Sequence, residues 1–388
     1  MVSRAIRAAT GRRCLRGLLI AFRLAGLSGI AIAIAAIMAV APEATAQAPA
    51  VGATSRHYVD EHRQNWDRTG PRPLETTIWY PAAKADHPFV PANAPFELES
   101  VEPDAPVAAS PAKYPLILIS HGTGGCAAAL LWMGHYLAAH GYIVAAVNHH
   151  GNTCVEPRGD PRGFMLWWER PQDLSAVLDR LLRDSQFGPL IDQRRIGALG
   201  FSLGGYSVIT LAGGRIDRPL FQRFCASPVR DFTCSPQPEF PEAPALFQKL
   251  ETSDPVVQEA IRHSGDSYRD PRIRAVFALA PVFASGFERK DLADIVVPVE
   301  IVVGAGDTVA PPKTNAERYA ALIKGARLIE IRGRAGHYDF VPVCNDMGRK
   351  ILPERLCHDD PTVDRRQIHA RAQSLALQFF NRNLARQR

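Results

Sequence analysis

The sequence has no C-x-x-C pair and no histidine–cysteine grouping at ligand spacing, which speaks against a zinc site. It has no internal repeat, and its low-complexity stretches are confined to Pro/Ala-rich loops near 81–112 and 235–245. A lasting excess of one charge is missing too. The formal charge is +6, but six of the 45 basic residues and one of the 39 acidic residues fall within positions 1–46. The rest of the chain keeps 39 and 38, a net +1, which gives no electrostatic reason to expect nucleic acid or an acidic membrane as partner.

What positions 1–46 do contain is an export pattern. Arg4, Arg7, Arg12, Arg13, Arg16 and Arg23 form a basic region, residues 24–41 an apolar run, and Ala44-Thr45-Ala46 a small-residue cleavage site. The reading is a signal peptide over 1–46, cut before Gln47, and a periplasmic or secreted product with no stable membrane insertion. A retained anchor is the competing reading, because about 18 apolar residues just suffice to span a bilayer. The Arg12-Arg13 pair hints at twin-arginine export, although the residues after it fit that signal poorly.

One cysteine, Cys14, lies in the leader, which leaves Cys126, Cys154, Cys225, Cys234, Cys344 and Cys357 for an oxidising destination. Short loop spacing favours Cys225–Cys234 and Cys344–Cys357, and Cys126 is left to pair with Cys154.

Short apolar, β-branched runs punctuate the remaining chain: 76–81, 115–120, 142–148, 195–201, 274–280, 298–304 and 327–332. Most are continuously apolar, as expected of parallel strands buried on both faces. Helical patterns cover 127–140, 171–185, 203–213, 311–323 and 363–384. The alternation predicts an α/β fold with a doubly wound, mostly parallel sheet. Residues 215–272 break the rhythm with many prolines and an irregular pattern. An excursion of this length at a strand's carboxyl end reads as a cap or lid insertion within one domain over 47–388.

Gly200-Phe201-Ser202-Leu203-Gly204 stands at a strand-to-helix junction, where a tight turn lifts a serine Oγ out of the sheet. Ser202 is the candidate nucleophile. A base and an orienting acid should follow in the order Ser, acid, His on loops after later strands. Asp307 in Gly304-Ala305-Gly306-Asp307 and His337 in Gly336-His337-Tyr338 fit those places. Asp291 and Asp294 precede their strand, and Asp339 is too close to His337 in sequence to orient it from an independent loop. The Gly-rich run His121-Gly122-Thr123-Gly124-Gly125 can supply a backbone N–H to an oxyanion, from Thr123 or else Gly124, paired with the N–H of Leu203. His121 reads as a structural hydrogen-bonding residue. His149 and His150 stand after a strand end as pocket-lining candidates. Trp167, Trp168 and Phe201 suit either a pocket wall or buried packing, with packing the simpler role for the tryptophans.

The order WYP (79–81), SHGTGG (120–125), HGYIVAAVNHHGNT (140–153), GFSLGG (200–205), GAGDTVAPP (304–312) and Ala335-Gly336-His337 resembles the bacterial proteins called predicted dienelactone hydrolases. Those are in turn similar to plasma-type platelet-activating-factor acetylhydrolases. The resemblance runs from about residue 56 to the carboxyl end, including HARAQSLALQFF (369–380). It implies an α/β-hydrolase fold, a Ser202–Asp307–His337 triad and backbone donors at Thr123 and Leu203; the two-step mechanism of such a triad requires no metal or organic cofactor. Two departures matter. Dienelactone hydrolases use a cysteine nucleophile where this chain has Ser202. The acetylhydrolases can draw their acid from the preceding strand, whose counterpart Ala278-Leu279-Ala280-Pro281 carries no carboxylate. The expectation is an ester hydrolase acting on a small-molecule or lipid-like ester. An amidase or peptidase with the same triad, and a non-catalytic binding protein on a hydrolase scaffold, are the alternatives.

Overall fold

The computed structural model describes residues 50–84, 86–90 and 94–385, so the leader expected over 1–46 lies outside the described residues. Nine strands form there: β1 (Val51–Gln64), β2 (Pro71–Pro81), β3 (Glu102–Pro103), β4 (Tyr114–Ser120), β5 (Ile143–Val147), β6 (Ile191–Phe201), β7 (Ile273–Leu279), β8 (Val299–Gly304) and β9 (Arg327–Ile331). They make one sheet in the order β3-β1-β2-β5-β4-β6-β7-β8-β9. The pairs β1/β2 and β2/β5 are antiparallel, and every neighbour from β5 to β9 is parallel.

Continuous apolar sequence is what a strand covered on both faces needs, and β4, β5 and β8 are buried at every position. Leu116, Ile117, Leu118 and Ile119 are fully buried, each worth roughly 1.5–3 kcal/mol by transfer. The helices are α1 (Leu131–Ala139), α2 (Pro161–Met165), α3 (Arg170–Arg183), α4 (Leu203–Leu211), α5 (Arg218–Cys225), α6 (Ala243–Ser253), α7 (Pro255–Arg262), α8 (Ala316–Leu322), α9 (Gly348–Ile351), α10 (Glu354–Cys357) and α11 (Arg365–Asn383). Helix α1 packs beside α11, and α3 beside α4. On α3 the residues Leu174, Val177, Leu178 and Leu181 form the buried stripe expected of an amphipathic helix.

Two expectations need correction. The segment 215–272 is not irregular: it folds into α5, α6 and α7, two of them opened by Asp side chains, Asp217 and Asp254, that accept from backbone N–H groups of the first turn. Strand β1 was not expected at all. Its sequence VGATSRHYVDEHRQ offers little apolar alternation, because polar contacts hold its outer half. The Arg56 guanidinium and the Tyr58 hydroxyl both donate to Asp184 just past α3, at 2.9 and 2.8 Å.

Disulfides join Cys126–Cys154, Cys225–Cys234 and Cys344–Cys357, the pairing that loop spacing favours. Among the described residues no helix is long and apolar enough to cross a membrane, and no group of three or more His, Cys, Asp or Glu could hold a metal ion.

Candidate active site

The end of β6 runs straight into α4, and Ser202 is the single residue between them. Its backbone adopts φ 55° and ψ −117°, a strained conformation for a non-glycine residue. Crowding explains the glycines around it. A Cβ on Gly200 would stand 2.0 Å from the Gly204 carbonyl oxygen, and one on Gly204 would stand 1.9 Å from that of Ser120. The sharp turn therefore forms only where side chains are absent on both sides of the serine.

The structure brings Ser202, His337 and Asp307 together from three loops. Ser202 Oγ lies 2.9 Å from His337 Nε2, and His337 Nδ1 lies 2.7 Å from Asp307 Oδ2. A carboxylate on Nδ1 keeps the proton there and leaves Nε2 to accept from the serine hydroxyl. The other Asp307 oxygen accepts from the N–H groups of Val309 and Ala310 at 2.9 and 2.7 Å. All three residues are nearly buried. The rival acids sit elsewhere: Asp291 accepts from Glu288 N–H, Asp294 pairs with Arg215, and Asp339 accepts from Gly336 N–H, which shapes the loop that carries His337.

Of the two candidate donors in the glycine loop, Gly124 is engaged, since its N–H donates to Asn152 Oδ1 at 2.6 Å. Among the described residues the N–H groups of Thr123 and Leu203 meet no acceptor. A hydroxyl, an imidazole and a carboxylate in this order, beside two uncommitted N–H groups, can deliver an alkoxide and hold a developing oxyanion.

A cavity of about 270 Å³ opens beside Thr123. Phe164, Trp167, Phe221, Phe240, Phe247 and Phe283 give it an aromatic lining, with Trp167 4.2 Å from Phe283 between ring centroids. Several of these come from 215–272. A larger cavity, about 550 Å³, lies apart from Ser202, between the β1–β2 turn and α7, where its walls include Arg63, Trp66 and Tyr268.

Trp167 is thus a pocket residue, but two other pocket candidates are not. Phe201 packs inward against His337, with ring centroids 5.0 Å apart, and against Phe340. His149 is 1% exposed, with both ring nitrogens bonded, to Ser120 Oγ at 2.9 Å and to Asp173 Oδ2 at 2.8 Å. His150 also turns away, bonded to Glu156 and to the backbone of Trp66. Trp168 is buried packing. His121 has the structural role expected, its ring joined to the Gly122 carbonyl and to His149 N–H.

Sequence reasoning missed Ser120, Asn152, Arg170 and Asp173. The signal available was on α3, where Arg170 and Asp173 continue the spacing of the buried Leu174–Leu181 stripe and so fall on its buried face.

Comparisons with known proteins follow the same lines. Residues 98–156 match the model of platelet-activating factor acetylhydrolase, isoform II. Over 106 residues the chain is 32% identical to cutinase est1 of Thermobifida alba, covering 27% of this chain and 32% of that protein. Over 84 residues it is 34% identical to lipase 1 of Moraxella sp. (strain TA144), covering 22% of this chain and 23% of that protein. The chain spans under a third of the length of these relatives. A ferulic acid esterase from Streptomyces cinnamoneus superposes with a TM-score of 0.55 at 23% identity, over 89% of this chain and 96% of that one, a likeness of fold. None of these carries the dienelactone name. The sheet order, the strand-to-helix serine and the superposition give the chain an α/β-hydrolase fold, and its residues 98–156 are similar to the platelet-activating factor acetylhydrolase model.

Proposed function

We propose that this protein hydrolyses carboxylic esters through an acyl-enzyme formed on Ser202. The observation that carries the reading is the strained Ser202 turn, hydrogen-bonded to the His337–Asp307 pair, with the acceptor-free N–H of Leu203 next in the chain and that of Thr123 on a loop whose Gly122 packs against Ser202. The cutinase and lipase matches favour ester over amide chemistry.

His337 takes the Ser202 proton as Oγ attacks the ester carbonyl, and the Thr123 and Leu203 N–H groups hold the resulting oxyanion. Each such donor contributes about 3 kcal/mol of transition-state stabilisation. The imidazolium returns its proton to the leaving alkoxide, and the alcohol departs. Water, deprotonated by His337, then attacks the acyl-enzyme, and collapse of the second tetrahedral intermediate releases the acid and restores Ser202. No step calls for a metal or organic cofactor.

The aromatic cavity of about 270 Å³ receives one side of the ester, and α5 to α7 act as a cap that sets its shape. Glu239 supports the cap reading, since a Cβ on Gly124 would stand 2.6 Å from its Cβ. The segment therefore rests directly on the oxyanion loop. Cleavage of the 1–46 leader and release to the periplasm or medium complete the proposal, supported by three disulfides suited to an oxidising compartment.

A p-nitrophenyl ester series from acetate to palmitate tests the reading. Turnover should be highest for acyl groups short enough for the cavity and fall to background in Ser202→Ala. Retained turnover in Ser202→Ala would sink it.

A further inference from the structure

Behind the oxyanion loop lies a second serine–histidine–aspartate set. Ser120 is the last residue of β4, directly before His121, and its Oγ–H donates to His149 Nε2 at 2.9 Å. His149 Nδ1–H donates to Asp173 Oδ2 at 2.8 Å. The Asp173 carboxylate in turn accepts from Arg72 Nε at 2.7 Å and from Arg63 Nη2 at 2.6 Å. Ser120, His149 and Asp173 are 0%, 1% and 0% exposed, so no substrate reaches them. Burial, with the Arg170 guanidinium nearby, holds the His149 imidazole neutral, down to about 3, while the two arginines keep Asp173 ionised against the effect of burial. With its proton fixed on Nδ1, His149 can only accept from Ser120, so each hydrogen bond in the set has one direction.

The set is tied to the loop that supplies the Thr123 N–H. Arg170 Nη2 lies 3.4 Å from Ser120 Oγ and also donates to the His121 carbonyl. The backbone N–H of His149 donates to His121 Nε2 at 3.2 Å, and His121 Nδ1–H to the Gly122 carbonyl at 2.7 Å. The far end of the loop is held by the same β5-to-α2 segment. Gly124 N–H donates to Asn152, Cys154 N–H donates to the Gly125 carbonyl at 2.9 Å, and the Cys126–Cys154 disulfide closes the loop. These fixed points lie on both sides of Thr123, whose N–H meets no acceptor among the described residues, while the Gly124 and Gly125 N–H groups that follow it are both engaged.

We propose that Ser120, His149, Asp173 and Arg170 form a positioning relay that sets the oxyanion loop, so that the Thr123 N–H meets the transition state without reorganisation. The relay touches no substrate and transfers no proton. Its contribution is to the geometry of one donor, and a donor misplaced by a fraction of an ångström loses stabilisation of the oxyanion more than affinity for the ester. The proposal rests on the ester-hydrolase reading of Ser202.

The test compares wild type, Ser120→Ala and Arg170→Lys, the second variant keeping the charge while losing the guanidinium fork. Three quantities are measured: kcat and KM for a short p-nitrophenyl ester, inhibition by phenylboronic acid, and fluorophosphonate labelling. Phenylboronic acid bonds to a serine Oγ as a tetrahedral adduct that places an oxygen in the oxyanion position. The expected result is a kcat lowered about 10- to 100-fold, KM within about threefold, and boronate affinity lowered by a factor similar to kcat/KM. Fluorophosphonate should still modify Ser202 in both variants. A merely structural role would lower the melting temperature and leave kcat and boronate affinity within twofold in whichever variant folds, and that result would overturn the proposal. Failure of the wild type to label at Ser202 would instead remove the underlying reading.

Discussion

Ser202–His337–Asp307 and Ser120–His149–Asp173 have almost the same internal distances, 2.9 and 2.7 Å against 2.9 and 2.8 Å, yet Ser202 keeps 7% of its surface exposed and Ser120 none. Ser202 sits on strained backbone at the mouth of α4, with free N–H groups beside it. Ser120 ends a strand with no open space next to it. The carboxylates differ as well. Asp307 is held by two backbone N–H groups, whereas Asp173 is clamped by two arginines, with a third cation disfavouring charge on its histidine. Pair distances thus do not make a nucleophile. The backbone that presents the serine and the charges around the acid decide whether a proton can move. The two sets are neighbours, because Ser120 pairs with Gly200 in the sheet and Gly204 abuts the Ser120 carbonyl.

The largest expected effect separates the serines. Ser202→Ala should reduce ester turnover by about a million-fold, to background. Ser120→Ala should leave at least about a hundredth of the wild-type rate. Equal losses in a p-nitrophenyl acetate assay would erase the distinction. The acids should part company in a different measurement. Asp307→Asn is expected to lower kcat by about 10⁴ through the wrong imidazole tautomer, with little change in urea midpoint. Asp173→Asn leaves Arg63 and Arg72 without their shared charge and should cost about 3–5 kcal/mol of stability.

Gly204→Ala probes the contact between the sets. Its Cβ would meet the carbonyl oxygens of Ser120 and His121 at 1.9 and 2.8 Å, both backbone atoms that cannot swing aside. Activity should fall about 100-fold, and a variant with wild-type kcat would show that the α4–loop packing is slack.

The smallest effect is on acid stability. Because the folded-state pKa of His149 is depressed to about 3, the unfolded chain takes up a proton there that the native state refuses as pH falls from the usual histidine range toward 3. Stability is therefore complete above that range and declines below it, by up to about 1.4 kcal/mol per pH unit for one proton. A His149→Phe variant should show a shallower loss of urea midpoint between pH 6 and 4; an unchanged slope would place the proton uptake elsewhere.

Much of the Ser202 site could be read from the sequence because Ser202 and Asp307 follow strongly apolar strands and His337 follows a half-buried one, and strand ends converge in a parallel sheet. Ser202, Asp307 and His337 meet for that reason. The sheet from β4 to β9 was legible on the same ground, since PLILIS and VEIVVG admit few other structures. Strand β1 was not, because side-chain pairs between distant residues, such as Arg56 with Asp184, stabilise it in place of an apolar face. The relay was hidden for a related reason. His149 stood out as a residue after a strand end, but its partners Ser120 and Asp173 are 29 and 24 positions away, on different elements. Nothing local distinguishes a histidine facing a cavity from one facing a buried acid. The helices of 215–272 were obscured by prolines, of which Pro219, Pro244 and Pro255 stand in the first turns of α5, α6 and α7, where a missing N–H costs nothing, and the others lie outside those helices.

Fluorophosphonate labelling of the mature protein, followed by peptide mass spectrometry, bears most directly on the contrast between the two serines. A single adduct on the peptide containing Ser202, with none on the peptide containing Ser120, is the result expected. An adduct on Ser120, or none on Ser202 in folded protein, would contradict the account.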